Sequence, residues 1–521
     1  MKPKKKFINY RPTLTFVIAI IIAIVLVTKV FVSQTSRLII LCILSALAVV
    51  LTIFFFVKKK RALATIVVIV IAMLLPVANV YFKSQALLRN NDLNVEKCEI
   101  YGKIYKVNEN LDENRVDVYL TDVQLMASDE HLDYYGNFLL RINSNNLDTS
   151  KIEIGRYIKG SIKPSLYNLS SGESRDLSFI SRDITGFAYA YSYNVTHTDK
   201  YDISLRDSIK TKVYKQFQKT DLFFTNVGYA MMFGDSSVID DSVYGVFENS
   251  GTVHLLAVSG FHVSVIVGFI LFLLKKLRAN KCVTFIVSAV ILLFYAYLCD
   301  FSVSIVRAII MSMIIIYASM RNKECDRLSS MCLACLIILL LNPLDLYNIS
   351  FVLSFVSVLS ILLLMPVIQR FLSKFIYNKL ASALSLTIAI SLGMTTFQLY
   401  YFGKAPILSV LSNVITVPIV SVLFVFIILA VILGSVFGIA PALIAVFGHS
   451  IKYVLQFNNW IAGIGLFLKS NHVREIMLVL TILIMYSVSD YLFVRKKNRI
   501  ILLGLLGGLL MSLLIFWYKM D

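Results

Sequence analysis

The sequence predicts a polytopic α-helical membrane protein of about thirteen spans with an all-β domain inserted near its start. Three observations carry that expectation. Of the 521 residues, 58% are hydrophobic and only 16% charged, with a mean hydropathy of +0.77. Globular domains carry about 25% charged residues. Apolar runs of the length that crosses a bilayer, roughly 20 residues as a helix, recur along most of the chain. Between residues 85 and 200 they stop, and the composition turns polar. Disorder, collagen and disulfide scaffolds are excluded by the same composition, since seven Cys are scattered over the whole length.

Taken in order, runs near 13–32, 38–57 and 62–82 make up an N-terminal transmembrane segment, 1–84. The polar interval 85–200 follows, then a linker, 201–252. The main transmembrane domain is 253–495, with spans expected near 253–274, 282–299, 301–320, 328–342, 349–366, 380–401, 406–434, 440–468 and 476–494. A last span near 500–518 closes the chain within 496–521.

Orientation follows from the excess of Lys and Arg in short cytoplasmic loops. Lys2, Lys4, Lys5 and Lys6 precede the first span, and Lys58, Lys59, Lys60 and Arg61 follow the second. The third span then delivers 85–250 to the outside. Alternation from there places the basic stretches 275–281, 321–327, 370–379 and 495–499 all inside, and the C-terminus outside.

The inserted segment alternates apolar and polar residues in Lys97–Val107, Arg115–Met126, Phe138–Asn143 and Ile152–Ile162, separated by Asn, Asp, Gly and Ser. That pattern predicts short strands in a small barrel or sandwich. Cys98 is its only cysteine, so it holds no internal disulfide. The segment carries 13 Lys/Arg against 17 Asp/Glu, a net of −4, while the remaining chain carries +23. It therefore advertises no overall basic surface of the kind that grips nucleic acid electrostatically. Leu205–Phe217 spaces apolar residues at 205, 209, 213 and 217 among Arg206, Lys210, Lys212 and Lys215, as in a helix lying on a membrane surface.

The run Gly251-Thr-Val-His-Leu-Leu-Ala-Val-Ser-Gly-Phe-His-Val263 places His254, Ser259 and His262 in a segment otherwise apolar enough to enter the bilayer. Polar groups there are functional candidates, because lipid penalises them unless they face a cavity or a partner. Three readings stay open. Ser259 and His262, three apart and on one helical face, have the spacing of a nucleophile and its base. His254 and His262 are candidate metal ligands with Asp235 or Glu248 as a third. Alternatively, all of them hydrogen-bond neighbouring helices, with Gly260 breaking the helix.

The run HLLAVSGFHV resembles the hallmark of the ComEC family of competence proteins, usually close to HLLAISGLHV, with departures at Val258 and Phe261. Flanking elements resemble the family's in the right order: Met232-Phe-Gly-Asp-Ser-Ser237, Ser304-Ile-Val-Arg-Ala308, Asn342-Pro343, Ser350-Phe-Val-Leu-Ser-Phe355, and Tyr401-Phe-Gly403 with Asn413 and Pro418. Together they cover about 220–430. Val352 stands where the family usually has Gln. The resemblance implies an inner-membrane channel that carries single-stranded transforming DNA inward, with an OB-like outer domain at 85–200. It also implies a separate outer DNA receptor and a separate cytoplasmic ATP-driven motor. Many family members continue into a metallo-β-lactamase-like domain. No His-x-His-x-Asp-His cluster is seen before Asp521, so neither nuclease activity nor a metal or cofactor is expected of this chain. No GxxxxGK[ST] phosphate loop is present, which removes ATP hydrolysis as the chain's own chemistry.

Carrying a polyanion through hydrocarbon needs a wet path lined by donors and cations. Asp300, Ser304 and Arg307 fall on one face at 3.6 residues per turn, and Arg307 is the only basic residue inside its expected span. With Asp235, His254, Ser259, Gly260, His262, Gln398 and Asn413 they form the expected lining. An intramembrane Ser/His hydrolase and a transporter of another solute are the alternatives.

Overall fold

The computed structural model describes residues 12–491 apart from short segments at 31–32, 59–60, 92–97, 111–114, 128–129, 133, 144–153, 168–172, 191–194, 202, 221–222 and 471–472, together with parts of 503–512. The predicted last span, 500–518, thus lies largely outside the described residues, as does the Lys cluster at 2–6. Seven described helices are long and apolar enough to cross a membrane, and three more apolar helices are shorter. The protein is accordingly a multi-pass membrane protein. The described residues form two compact units: one within 12–212 with 332–351, the other within 213–331 with the residues from 352 onward.

In the first unit, α1 (Pro12–Val25) continues as a π-helical turn through Val30, and α2 (Gln34–Lys58) and α3 (Arg61–Asn91) follow. α3 is a single helix despite Pro76, and it outruns the predicted 62–82 because polar residues extend it beyond the apolar stretch. The strands are β1 (Cys98–Asn110), β2 (Arg115–Ala127), β3 (Glu130–Leu132), β4 (Asn137–Asn143), β5 (Arg156–Ile162), β6 (Ser165–Leu166), β7 (Ile184–Ala190) and β8 (Val195–Tyr201). They run β6-β7-β4-β2-β1-β5-β8 across one sheet, with β3 on β2. All pairs are antiparallel except β4 with β7.

Period-two alternation along β1 buries Ile100 and Ile104 and leaves Tyr101, Lys103 and Tyr105 half-buried on the other face. From Phe138 to Ile142, Arg141 included, β4 is buried without alternation because both of its faces are covered. Phe138, Leu140 and Ile142 join the sheet core, while Leu139 packs with Leu177 and Ile180 of α4 (Ser174–Ser181). The insert is therefore not all-β: α4 forms where Asp176 favours a helix start and Leu177 and Ile180 supply an apolar face. Of the predicted Ile152–Ile162 strand, Ile152 and Glu153 lie outside the described residues and the strand begins at Arg156.

Residues 332–351 add the end of α11 (Arg327–Leu341) and the 3₁₀ turn Pro343–Tyr347 to this unit. The Asn342 side chain donates to the Ser181 carbonyl (2.8 Å) and to Asp345 Oδ1 (3.0 Å). Asn79 Nδ2 donates to the Leu341 carbonyl (3.2 Å), and the Thr28 and Tyr347 hydroxyls share a hydrogen bond of 2.6 Å. Leu344 is fully buried among Ala23, Val27, Val77, Val80 and Leu177. The turn is thus seated against α1, α3 and α4 at once.

α5 (Leu205–Gln218) matches the predicted 205–217 helix. The second unit then holds α6 (Asn226–Phe233), α7 (Asp241–Asn249), α8 (Gly260–Lys276), α9 (Lys281–Leu298), α10 (Val303–Met320) and the start of α11. α12 (Ile349–Leu372), which continues into this unit, is followed by α13 (Asn378–Phe402), α14 (Ser409–Phe437), α15 (Ala440–Gly463) and α16 (Glu475–Val488). β9 (Lys404–Pro406) pairs with β10 (Phe467–Lys469). α14 and α15 pack along one another, and Val420, Phe424, Ile427, Ile444, Phe447 and Ile451 fill the core with Tyr229 and Phe233 of α6. Pro418 is accommodated inside α14 without ending it. The predicted span at 253–274 begins only at Gly260, because the preceding residues form a turn.

Candidate functional site

The run 250–259 is a shaped connection rather than a helix. α7, capped by the Asp240 side chain accepting from the Ser242 N–H, ends at Asn249. Gly251 then adopts φ +76°, and a Cβ there would lie 2.5 Å from Ser409 Cβ and 2.8 Å from Pro406 Cγ. Glycine is required on both counts, left-handed backbone and close approach. A single 3₁₀ turn, Val253–Leu255, carries His254 with its side chain exposed. Asp235 sits half-buried after α6, where the Gly234 turn packs on Val258.

Ser259 is the N-cap of α8, with extended backbone, and Gly260 is the first helical residue. Ser259 and His262 therefore do not share a helical face, and the helical path is interrupted immediately before Gly260. The two form a capping box in which His262 takes the place usually held by Glu or Gln. The Ser259 N–H donates to His262 Nδ1 at 3.2 Å, and Ser259 Oγ lies 3.3 Å from the same nitrogen. Nδ1 is therefore an acceptor and the proton sits on Nε2. Nε2 is buried with no hydrogen-bond partner, and the ring stands edge-on to Phe424 at 4.5 Å.

Arg307 lies on α10 and is 5% exposed. Its Nη1 donates to the Ser354 carbonyl of α12 (2.8 Å), and its guanidinium lies over the Phe355 ring at 5.7 Å. Nε is buried without a partner. Asp300 is not on the helix: it occupies the α9–α10 turn at φ +56° and is exposed. It shares no helical face with Ser304 and Arg307, because α10 begins only at Val303. Ser304 is half-buried in the first turn of α10. Asn413, in α14, has a buried Oδ1 without a partner beside the fully buried Ser412. Gln398 is half-buried on α13 and joins none of these contacts. Thus Ser259, Gly260, His262 and Arg307 are brought together, whereas Asp300 and Gln398 are not. Among the described residues no three His, Cys, Asp or Glu side chains group as a metal site.

One buried network escaped the sequence reading. Ser250 and Thr252 share a hydrogen bond (2.8 Å), Asn458 Nδ2 donates to Thr252 Oγ1 (3.3 Å), and Thr416 Oγ1 donates to Asn458 Oδ1 (2.9 Å). All four residues are at most 1% exposed. The spacing from 250 to 458 hides it, although Asn458 inside an apolar helix was the available signal. Replacing Asn458 by Leu is expected to cost about 1–3 kcal/mol by stranding the two Thr hydroxyls, read as earlier unfolding in detergent. The more exposed Lys404–Glu248 pair (3.1 Å) should contribute under about 1 kcal/mol.

The Competence protein family matches residues 231–496, which include every residue of this site. The chain is 26% identical over 235 residues to ComE operon protein 3 of Bacillus subtilis, and 26% identical over 240 residues to Recombination protein 2 of Haemophilus influenzae. Each alignment covers 43% of this chain and 30% of the relative's length. No solved structure matches the chain. With the family match extending over just over half of its residues, the chain belongs to the competence protein family.

Proposed function

We propose that this protein is the membrane conduit through which single-stranded transforming DNA passes inward during natural competence, a channel rather than an enzyme. One observation carries the reading beyond family membership. Where α8 and α10 begin, His262 Nε2, Ser302 Oγ and Arg307 Nε are all buried without partners. Native interiors leave few such atoms, and each calls for an explanation. Donors held ready for a hydrated, anionic passenger are that explanation.

In this reading the chain crosses the membrane about thirteen times, with its N-terminus cytoplasmic and 85–250 and the C-terminus outside. The β-rich insert is an OB-like outer domain, and 201–252 leads from it into the channel domain. The positive-inside alternation places both the insert and the turn Pro343–Tyr347 outside. Their membership in one compact unit supports that orientation. An outer DNA receptor and a cytoplasmic ATP-driven motor are the partners, as the chain holds no phosphate loop.

The capping box speaks against a Ser/His hydrolase. The lone pair that a base would use on Ser259 is engaged by the Ser259 N–H, and the serine hydroxyl is fixed at the helix end. Ser259→Ala should therefore cost the helix only about 0.5–2 kcal/mol of capping and leave most DNA uptake intact. A hydrolase would lose all activity. The test of the conduit itself is transformation of a deletion strain, with internalised labelled DNA as readout. Normal internalisation without the chain would refute the reading.

A further inference from the structure

Two positive ends meet at Gly260. A helix N-terminus carries about half a positive charge, and nothing among the described residues accepts from the Gly260 or Phe261 N–H. The Arg307 guanidinium is aimed at this end of α8: a Cβ on Gly260 would lie 2.6 Å from its Nη2. Only glycine lets the fork approach so closely. No carboxylate among the described residues pairs with Arg307, and its Nε is buried unpaired. Burying an uncompensated cation is costly, and setting it against a helix N-terminus raises the cost. The contacts that hold it are a carbonyl and an aromatic face, both of which orient a cation without neutralising it.

We propose that Arg307 and the amino end of α8 form a binding site for a single phosphodiester group, occupied in turn by successive phosphates of a passing strand. The chemistry suits this ligand. A phosphodiester offers one negative charge and two free oxygens, one set for the guanidinium fork and one for the helix N–H groups. Having one cation rather than a basic groove, the site holds a phosphate weakly enough to release it. The inference rests on the conduit reading, which supplies the strand. A phospholipid headgroup carries the same phosphodiester chemistry, so the experiment must tell the two sources apart.

The full chain is reconstituted in phosphatidylcholine nanodiscs and titrated with a fluorescent oligothymidylate of about twenty nucleotides. A parallel titration uses the same oligomer with uncharged methylphosphonate linkages. Arg307→Gln is expected to weaken binding of the charged oligomer by about tenfold or more, with Arg307→Lys falling between it and the native protein. Gly260→Ala should weaken it in the same direction. The atom its methyl meets is the far end of a flexible side chain, so the fold survives even if Arg307→Gln does not assemble. The uncharged oligomer should bind weakly and equally to all four proteins.

Affinities of Gly260→Ala and any folded Arg307 variant within twofold of native would overturn the proposal. So would a deficit seen only for phosphatidylglycerol in the nanodisc, which would assign the site to lipid. In the deletion strain, normal uptake by the variants with none in the deletion sinks this site alone. Normal uptake in the deletion sinks the conduit reading instead.

Discussion

Gly393→Ala should sharply lower the amount of folded protein recovered from membranes. A methyl group at that point of α13 would collide with Ser360 Oγ, lie 2.7 Å from Ser360 Cβ and 2.9 Å from Met485 Sδ. Three helices, α12, α13 and α16, therefore close on one hydrogen atom. Small residues at helix crossings allow such approach, and van der Waals packing supplies much of the association energy within lipid. Overpacking a close-fitted contact costs about 1–3 kcal/mol, roughly fivefold to 150-fold in the folded ratio. Ser360 already donates to the Val356 carbonyl (2.7 Å), so it cannot rotate away without breaking that bond. The double variant Ser360→Gly with Gly393→Ala should recover most of the loss, measured by monodisperse yield in detergent. Failure to recover would show that the obstacle is elsewhere.

Asp345→Asn is expected to stabilise the protein at pH 8 and to change little at acid pH. Burial pushes the Asp345 carboxyl up to about 7, and Asp183 pushes the same way, while Lys83, Arg182 and the Asn342 hydrogen bond oppose them. The folded state thus holds the proton more tightly than the unfolded chain does. The stability this contributes is fully present below the unfolded carboxylate's pKa of about 3.9 and is lost as pH rises through about 7. The difference over that window is on the order of 4 kcal/mol. The amide is neutral throughout, so the variant's unfolding temperature should vary less with pH between 5 and 8. A native profile that is flat over the same range would contradict this account of the turn. Deletion of the Asn342 amide by Asn342→Ala should act at both pH values, since its bond to the Ser181 carbonyl does not titrate.

Much of the architecture was legible because its causes are local. Apolar runs dictate helices in lipid, where every backbone group must be satisfied within its own segment. Alternation from Cys98 to Ile104 dictates a strand with one buried face. The hallmark run was equally legible as chemistry out of place. What it does was not. Ser259 and His262 are three apart whether they face each other across a helix turn or cap its end, and only the backbone at Ser259 separates the two. The Asp300 expectation failed for a related reason: Asp300 and Phe301, both at positive φ, end the helical path before α10 starts.

The sequence by itself determined the membrane class, the interrupted polar insert and the family, because composition, periodicity and contiguous motifs are properties of the chain alone. Tertiary structure alone decided that Arg307 meets the start of α8, that Asn458 joins Thr252 across 206 residues, and that the turn after α11 seats against α1, α3 and α4. Such pairings join segments with no local preference for one another. Where such a pairing satisfies a buried donor or acceptor, as at Asn458, the partner is whatever the packing brings within reach.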